Sequence, residues 1–296
     1  MAKSPSFQDI IDNPIPRISI VDVGAMSEGQ ERYDKLLESG LATVTGFEPN
    51  PEEFARLQGR PGPYRYLPVF LGNGGPATFN VTRYPGCSSL LLPNPEVIDL
   101  FSTIGATLPE DNFRVIRSEE VQTTRLDDID DLEVDYIKLD VQGSELEIMR
   151  HGTGKLADTA VIECEVEFMP LYRDQPLFGD IQVFLRDQGF VLHKMIDCAG
   201  RPFRPFQPPN PFLPMSQLLW ADAIFVRDFT RLDTYGDDAL LKAAAVLDVV
   251  YGSYDLVTLL LGEFDRRRCT QIRTRYLASL RQRNLLLHFL NIKDHC

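Results

Sequence analysis

The stretch Arg17-Ile-Ser-Ile-Val-Asp-Val-Gly-Ala25 decides the fold. It is a short β-branched apolar run that ends in an acid and then a glycine. That pattern reads as a buried parallel strand breaking into a loop. Open α/β sheets bind ligands at such strand ends. Asp22 stands at this one, and Gly24 and Ala25 would let a ligand approach the backbone closely. A second run, Leu41 to Glu48, also ends in an acid. The remaining chain reads as a frame that holds these two carboxylates around one small cofactor.

Working outward, Ser27 to Gln30 has a capping-box pattern that predicts a helix to about Glu38, stopped near Gly40. Asn50-Pro-Glu-Glu53 is a strong helix start. Tyr64 to Phe70 reads as a third strand, which completes βαβαβ. Thr78 to Arg83 alternates like an edge strand, Val97 to Thr103 reads as a short helix, and Val121 to Leu126 as a strand. Val134 to Asp140 is a central strand that again ends in an acid. It is followed by the turn Gln142-Gly143 and a capping box at Ser144 and Glu147. Thr159 to Glu165, Phe190 to Ile196 and Leu218 to Val226 supply the last strands, with a helix over Leu177 to Gln188.

Residues 198–217 form a proline-rich insertion, either a rigid connector or a wall over a substrate. The pattern after it divides the chain into a 1–230 domain and a 231–296 helical extension. Ala239 to Val250 is apolar nearly all round, which implies burial against the body or another subunit, and so a possible homo-oligomer. Arg266, Arg267, Arg268, Arg273, Arg275, Arg281 and Arg283 make a basic stripe: a solvated or internally paired face, or a docking face for an acidic partner.

Composition narrows the function classes. The net charge of -13 opposes phosphate backbones, so no nucleic-acid partner is expected. No apolar run is long enough to span a bilayer, and the first residues lack a signal core. The five cysteines are scattered, which suits free thiols in the cytoplasm better than disulfides or zinc. His151, His193, His288 and His295 show no metal spacing, and the Asp127 to Asp131 turn lacks calcium-loop spacing; no metal site is expected.

Glu48 follows the first loop at roughly the 20-residue distance of the acid that grips a ribose in dinucleotide folds. The G-x-G-x-x-G fingerprint is absent, and Asp22 would repel a pyrophosphate while favouring a sulfonium or an amino group. S-adenosylmethionine therefore fits better than NAD.

The motifs, in order, resemble those of the FkbM-type methyltransferases. They are Val-Asp-Val-Gly-Ala at 21–25, Gly-Phe-Glu-Pro-Asn at 46–50, Gly-Cys-Ser-Ser-Leu at 86–90 and Thr-Arg-Leu-Asp-Asp at 124–128. They continue with Asp-Tyr-Ile-Lys-Leu-Asp-Val-Gln-Gly-Ser-Glu at 135–145 and Ile-Glu-Cys-Glu at 162–165. The likeness covers about residues 17 to 227. It departs at Gln142, where the family usually has Glu, and at Met26-Ser27, where Asn-x-Gly is common.

This resemblance implies an α/β class I methyltransferase (Rossmann-like) fold: a doubly wound seven-stranded sheet with an antiparallel last strand, here with an added C-terminal helical segment. It implies S-adenosyl-L-methionine as cofactor and a hydroxyl of a sugar, glycan or secondary metabolite as acceptor. Asp22, Gly24 and Ala25 would line the methionine end, Glu48 with Pro49 the ribose, and Leu71 and Gly72 the adenine. Asp140 leads the candidate general bases, followed by Glu163 or Glu165 and then Lys138; for each, a structural ion pair or buried acid is the competing reading. Ser88 and Ser89 are candidate substrate contacts or a plain turn. The rival functions are an NAD-dependent oxidoreductase or epimerase on a similar sheet, and a non-catalytic methyltransferase-like assembly protein.

Overall fold

The computed structural model describes residues 7–11, 14–26, 30–108, 110–207, 209–210 and 216–282. In chain order the elements are α1 (Phe7–Ile10), β1 (Ile18–Val23), α2 (Asp34–Glu38), β2 (Ala42–Phe47), α3 (Pro51–Gln58), β3 (Tyr64–Leu67), β4 (Phe70–Leu71), β5 (Pro76–Thr82) and α4 (Pro95–Ile98). They continue with β6 (Val115–Thr124), β7 (Tyr136–Leu139), α5 (Glu145–Arg150), α6 (Thr153–Leu156), β8 (Val161–Glu167), α7 (Phe178–Asp187), β9 (Phe190–Gly200) and β10 (Leu218–Arg227). Helices α8 (Asp237–Val249), α9 (Tyr254–Arg268) and α10 (Ile272–Gln282) follow.

The chain folds into two compact units. The larger, Ser19–Gly29 with Thr43–Asp228, carries the main sheet, ordered β3-β2-β1-β7-β8-β10-β9. β1, β7 and β8 are parallel, and β10 is antiparallel to both β8 and β9. The order reverses between β1 and β7, the switch point where open α/β sheets take ligands. The central strands are buried on both faces, which is why β1 and β7 read as continuous apolar runs interrupted only by charged residues near their ends. This is the class I methyltransferase topology.

Several elements differ from the sequence reading. The strand expected over Tyr64 to Phe70 splits: β3 stays in the main sheet, while β4 joins a separate sheet ordered β4-β6-β5. β6 is a ten-residue strand, where sequence alternation showed only its last part. The helix expected from Ser27 starts instead at Asp34, whose Oδ2 accepts from the Glu31 N–H at 3.0 Å; Ser27 itself lies outside the described residues. The short helix is Pro95–Ile98 rather than Val97 to Thr103, because Pro95 sets its first turn. At α3 the expectation holds: Asn50 accepts from Glu52 N–H at 3.0 Å.

The second unit is Met1–Ile18, Gln30–Ala42 and Phe229–Cys296, so N-terminal segments share a unit with the C-terminal helices. Phe7 packs edge-on to Tyr276 at 5.9 Å between ring centroids, and the Tyr276 hydroxyl donates to Asp248 at 2.6 Å. The apolar sides of α8 are buried within the chain itself, with α1, α2 and α9 as neighbours. Arg266 and Arg267 bond Glu263, and Arg267 and Arg268 bond Asp237, so these arginines are paired inside their own unit. Arg283 and the rest of the expected helical tail lie outside the described residues.

Cys87, Cys164, Cys198 and Cys269 are free thiols. Asp127 accepts from the N–H groups of Gly154 and Lys155, capping α6. No group of side chains suited to a metal occurs among the described residues. Nor is any described helix long and apolar enough to cross a membrane.

Candidate active site

Parallel register aligns Asp22 with Lys138 and Lys138 with Glu163, one row across three strands. Side chains two residues apart share a face, so Gly24, Asp140 and Glu165 stand one step nearer the strand ends. Asp22 is buried, and Lys138 Nζ lies 3.7 Å from its Oδ1. Lys138 thus sits between two acids, the arrangement of an internal ion pair. Glu163 is buried and accepts from the Tyr136 hydroxyl at 2.7 Å. Of the two acids named on β8, it is Glu165, not Glu163, that reaches the Asp140 loop.

The loop after β1 touches two others. The N–H groups of Gly24 and Ala25 both donate to the Phe47 carbonyl, at 3.1 and 3.2 Å, which ties it to the end of β2. Gly24 has φ +86°, and a Cβ there would lie 2.0 Å from the Asp140 carbonyl oxygen. The glycine expected to admit a ligand therefore admits the neighbouring backbone. Ala25 is buried beside it.

Glu48 follows β2, buried, with Oε1 accepting from the Asn50 N–H at 2.7 Å. Burial pushes its carboxyl up to about 7 despite that N–H, and the nearby charges of Glu53 and Asp22 add to the rise. Asp22 and Glu48 thus share one electrostatic neighbourhood, as their strand ends require. Pro49, half-buried, links Glu48 to the α3 cap. Leu71 joins the core that contains Val23 and Phe47, and the Gly72 N–H donates to Thr124 O at 2.9 Å.

The two serines carry structural duties. Ser88 Oγ accepts from the Thr82 N–H at 3.1 Å. Ser89, buried, donates to the Gln142 carbonyl at 2.7 Å and accepts from the Leu91 N–H at 2.9 Å. The 86–90 motif therefore braces the turn that follows β7.

That turn holds residues the strand-end argument overlooked. Gln142 Nε2 donates to Asp140 Oδ1 at 3.1 Å and to Glu165 Oε2 at 2.7 Å, while its Oε1 lies 3.1 Å from the Tyr172 hydroxyl, whose one proton it shares with the Cys87 carbonyl at 2.9 Å. Ser144 makes no side-chain cap; Glu145 instead accepts from the N–H groups of Val141 and Gly143. Burial raises the Glu145 carboxyl to about 7, against those N–H bonds and with help from Asp140. Burial also drives Glu165 and Glu167 well above the carboxylate range, and the charge of Asp140 reinforces both. The available signal was the Asp-x-Gln-Gly-x-Glu spacing: two acids and an amide around a glycine turn.

The strand order, with an acid at or beside three neighbouring strand ends, defines the class I methyltransferase fold. The family comparison is more specific. The methyltransferase FkbM domain model matches residues 22–192, more than half of the chain, and the chain belongs to that family. Solved structures similar to it include the magnesium protoporphyrin IX methyltransferase of Synechocystis PCC 6803 with bound SAM. That protein is 12% identical with a TM-score of 0.37, over 72% of this chain and 71% of that one. A Thermoplasma acidophilum protein assigned as a methyltransferase is 11% identical with a TM-score of 0.35, over 72% of this chain and 69% of that one. No curated protein matches the chain.

Proposed function

We propose that the protein is an S-adenosylmethionine-dependent O-methyltransferase acting on a hydroxyl of a sugar, glycan or secondary metabolite. The observation that carries this is the placement of buried Asp22 and Glu48 at neighbouring strand ends beside the Asp140 loop, in a chain of the FkbM family. The donor set fits the cofactor's chemistry: a buried acid without a glycine-rich pyrophosphate loop suits a cationic centre, and a second carboxylate suits a ribose diol. Asp22, Gly24 and Ala25 would hold the methionine end, Glu48 and Pro49 the ribose, and Leu71 and Gly72 the adenine side. When bound, the cofactor supplies a methyl group on a sulfonium, already activated for displacement.

The protein's part is alignment and proton removal. Asp140 takes the acceptor's hydroxyl proton, which leaves the oxygen lone pair free for in-line attack. Lys138, between Asp22 and Glu163, keeps the row of acids in place rather than serving as the base. An acid-lined site favours neutral or cationic acceptors over phosphorylated ones, and nucleic acid and membrane surfaces are not expected partners. We place the protein in the cytoplasm, consistent with its free thiols. Self-association through the C-terminal helices is a separate proposal, to be read from particle mass in solution. It would need a surface other than the covered sides of α8.

Calorimetry with S-adenosylmethionine and with NAD tests the reading, followed by labelled-methyl transfer to panels of glycosides, sugar nucleotides and phenols. Saturable S-adenosylmethionine binding, lost in folded Asp22→Ala and Glu48→Ala proteins, is expected. Tight NAD binding without S-adenosylmethionine binding would overturn it in favour of an oxidoreductase. Unchanged S-adenosylmethionine affinity in both variants would remove the assigned cofactor site.

A further inference from the structure

We propose that Gln142 is a positioning residue that clasps Asp140 and Glu165 into a carboxyl pair sharing one proton. The inference rests on Asp140 being the proton acceptor proposed above, and it assigns that acid a partner and a clasp. Gln142 is held from every side. Its carbonyl accepts from Ser89, its Oε1 faces the Tyr172 hydroxyl, and its Nε2 reaches one oxygen of each acid, at 3.1 and 2.7 Å. Its backbone takes φ +59°, a left-handed conformation that an L-residue adopts at a cost and keeps only where its surroundings enforce it. The amide orientation follows from chemistry: a carboxylate only accepts, so the NH2 end must face the two acids and the oxygen the hydroxyl.

Two carboxyls bound to one amide nitrogen cannot both ionise cheaply. Further acids surround them: Glu145 from α5, Glu167 from β8, and Asp222 from β10 as the register partner of Glu165, with the Tyr172 phenol on the remaining side. Lys138, two residues before Asp140 on β7, is engaged with Asp22. Burial pushes the Glu165 carboxyl well above the carboxylate range, and the charge of Asp140 adds to the rise. The shared proton therefore sits on Glu165, whose hydrogen bond with Asp140 aims that acid. An amide suits the clasp because it donates to both acids whatever their protonation.

Infrared spectroscopy of the full-length protein in deuterated buffer tests this without knowledge of the acceptor. At neutral pH the wild type should show protonated-carboxyl carbonyl absorption, part of which disappears in Glu165→Gln. Gln142→Met keeps the side chain's length but removes both donated hydrogen bonds, so the pair should hold its proton to higher pH and the absorption should grow. Gln142→Glu must itself stay protonated to donate, and should add a carboxyl band of its own. An unchanged spectrum in Glu165→Gln would overturn the shared proton. Identical carboxyl titration in wild type and Gln142→Met would reduce Gln142 to a space-filler. Melting curves establish that each variant is folded. S-adenosylmethionine calorimetry on the wild type separates the two claims, since a protein that fails to bind the cofactor loses the proposed function while the spectrum still decides the pair.

Discussion

Affinity for S-adenosylmethionine should depend on pH through Glu48. A carboxylate accepts from both ribose hydroxyls, whereas its protonated form must give up one accepting site to its own hydrogen. The Glu48 carboxyl is raised to about 7, chiefly by burial. If only the ionised form binds well, the competent fraction falls roughly tenfold between pH 8 and pH 6 for a group with that pKa. Calorimetric titrations across this range should show that loss, with proton release on binding at the acid end. Glu48→Gln cannot ionise, so its weaker affinity should stay flat, and the difference between the two proteins cancels the cofactor's own titration. Stability should move the opposite way. The native protein holds this proton to about 7 while the unfolded chain releases it near 4.5, so the favourable contribution is full below 4.5 and is lost as pH rises through 7. Glu48→Gln should therefore gain melting temperature relative to wild type above neutrality and lose that advantage in acid. A wild-type affinity that is level from pH 6 to pH 8, or an equal slope in Glu48→Gln, would refute the assignment of Glu48 to the ribose.

Other perturbations separate chemistry from architecture. Asp140→Asn should lower methyl transfer by roughly 10²–10⁴-fold while leaving calorimetric cofactor binding largely intact. Gly24→Ala should destabilise the protein by about 3 kcal/mol or more in urea melts, since its Cβ would meet the Asp140 carbonyl at 2.0 Å and φ is +86°. Tyr276→Phe should cost about 1–2 kcal/mol in the same assay by removing the buried hydrogen bond to Asp248 at 2.6 Å, without affecting cofactor affinity.

What could be read from the sequence follows from which interactions are local. A strand buried on both faces is largely apolar, so β1, β2 and β7 stood out, each with an acid at or beside its end. Asn50-Pro51 announced α3 because a cap and its N–H groups lie within three residues. β6 was half-visible: Val115 to Glu120 has one strand partner, β5, and little alternation shows where most side chains are exposed. The capping box at Ser144 misled because Ser144 makes no side-chain cap; the neighbouring Glu145 reaches back past the helix start to the N–H groups of Val141 and Gly143.

The Gln142 clasp was out of reach for a different reason. Its four partners come from positions 89, 140, 165 and 172, and only the fold brings them together. From sequence alone Gln142 was a missing acid, and its weight lay in what it lacked. In place it supplies what three carboxylates could not: N–H donors to two acids at once in a region where burial raises Glu165 and Glu167 well above the carboxylate range. A third acid at that position would have to be neutral to hold the same geometry, which would tie the shape of the site to pH. The amide removes that dependence, so the Glu48-dependent part of the pH response in binding should survive in Gln142→Met, while proton transfer follows the Asp140–Glu165 pair.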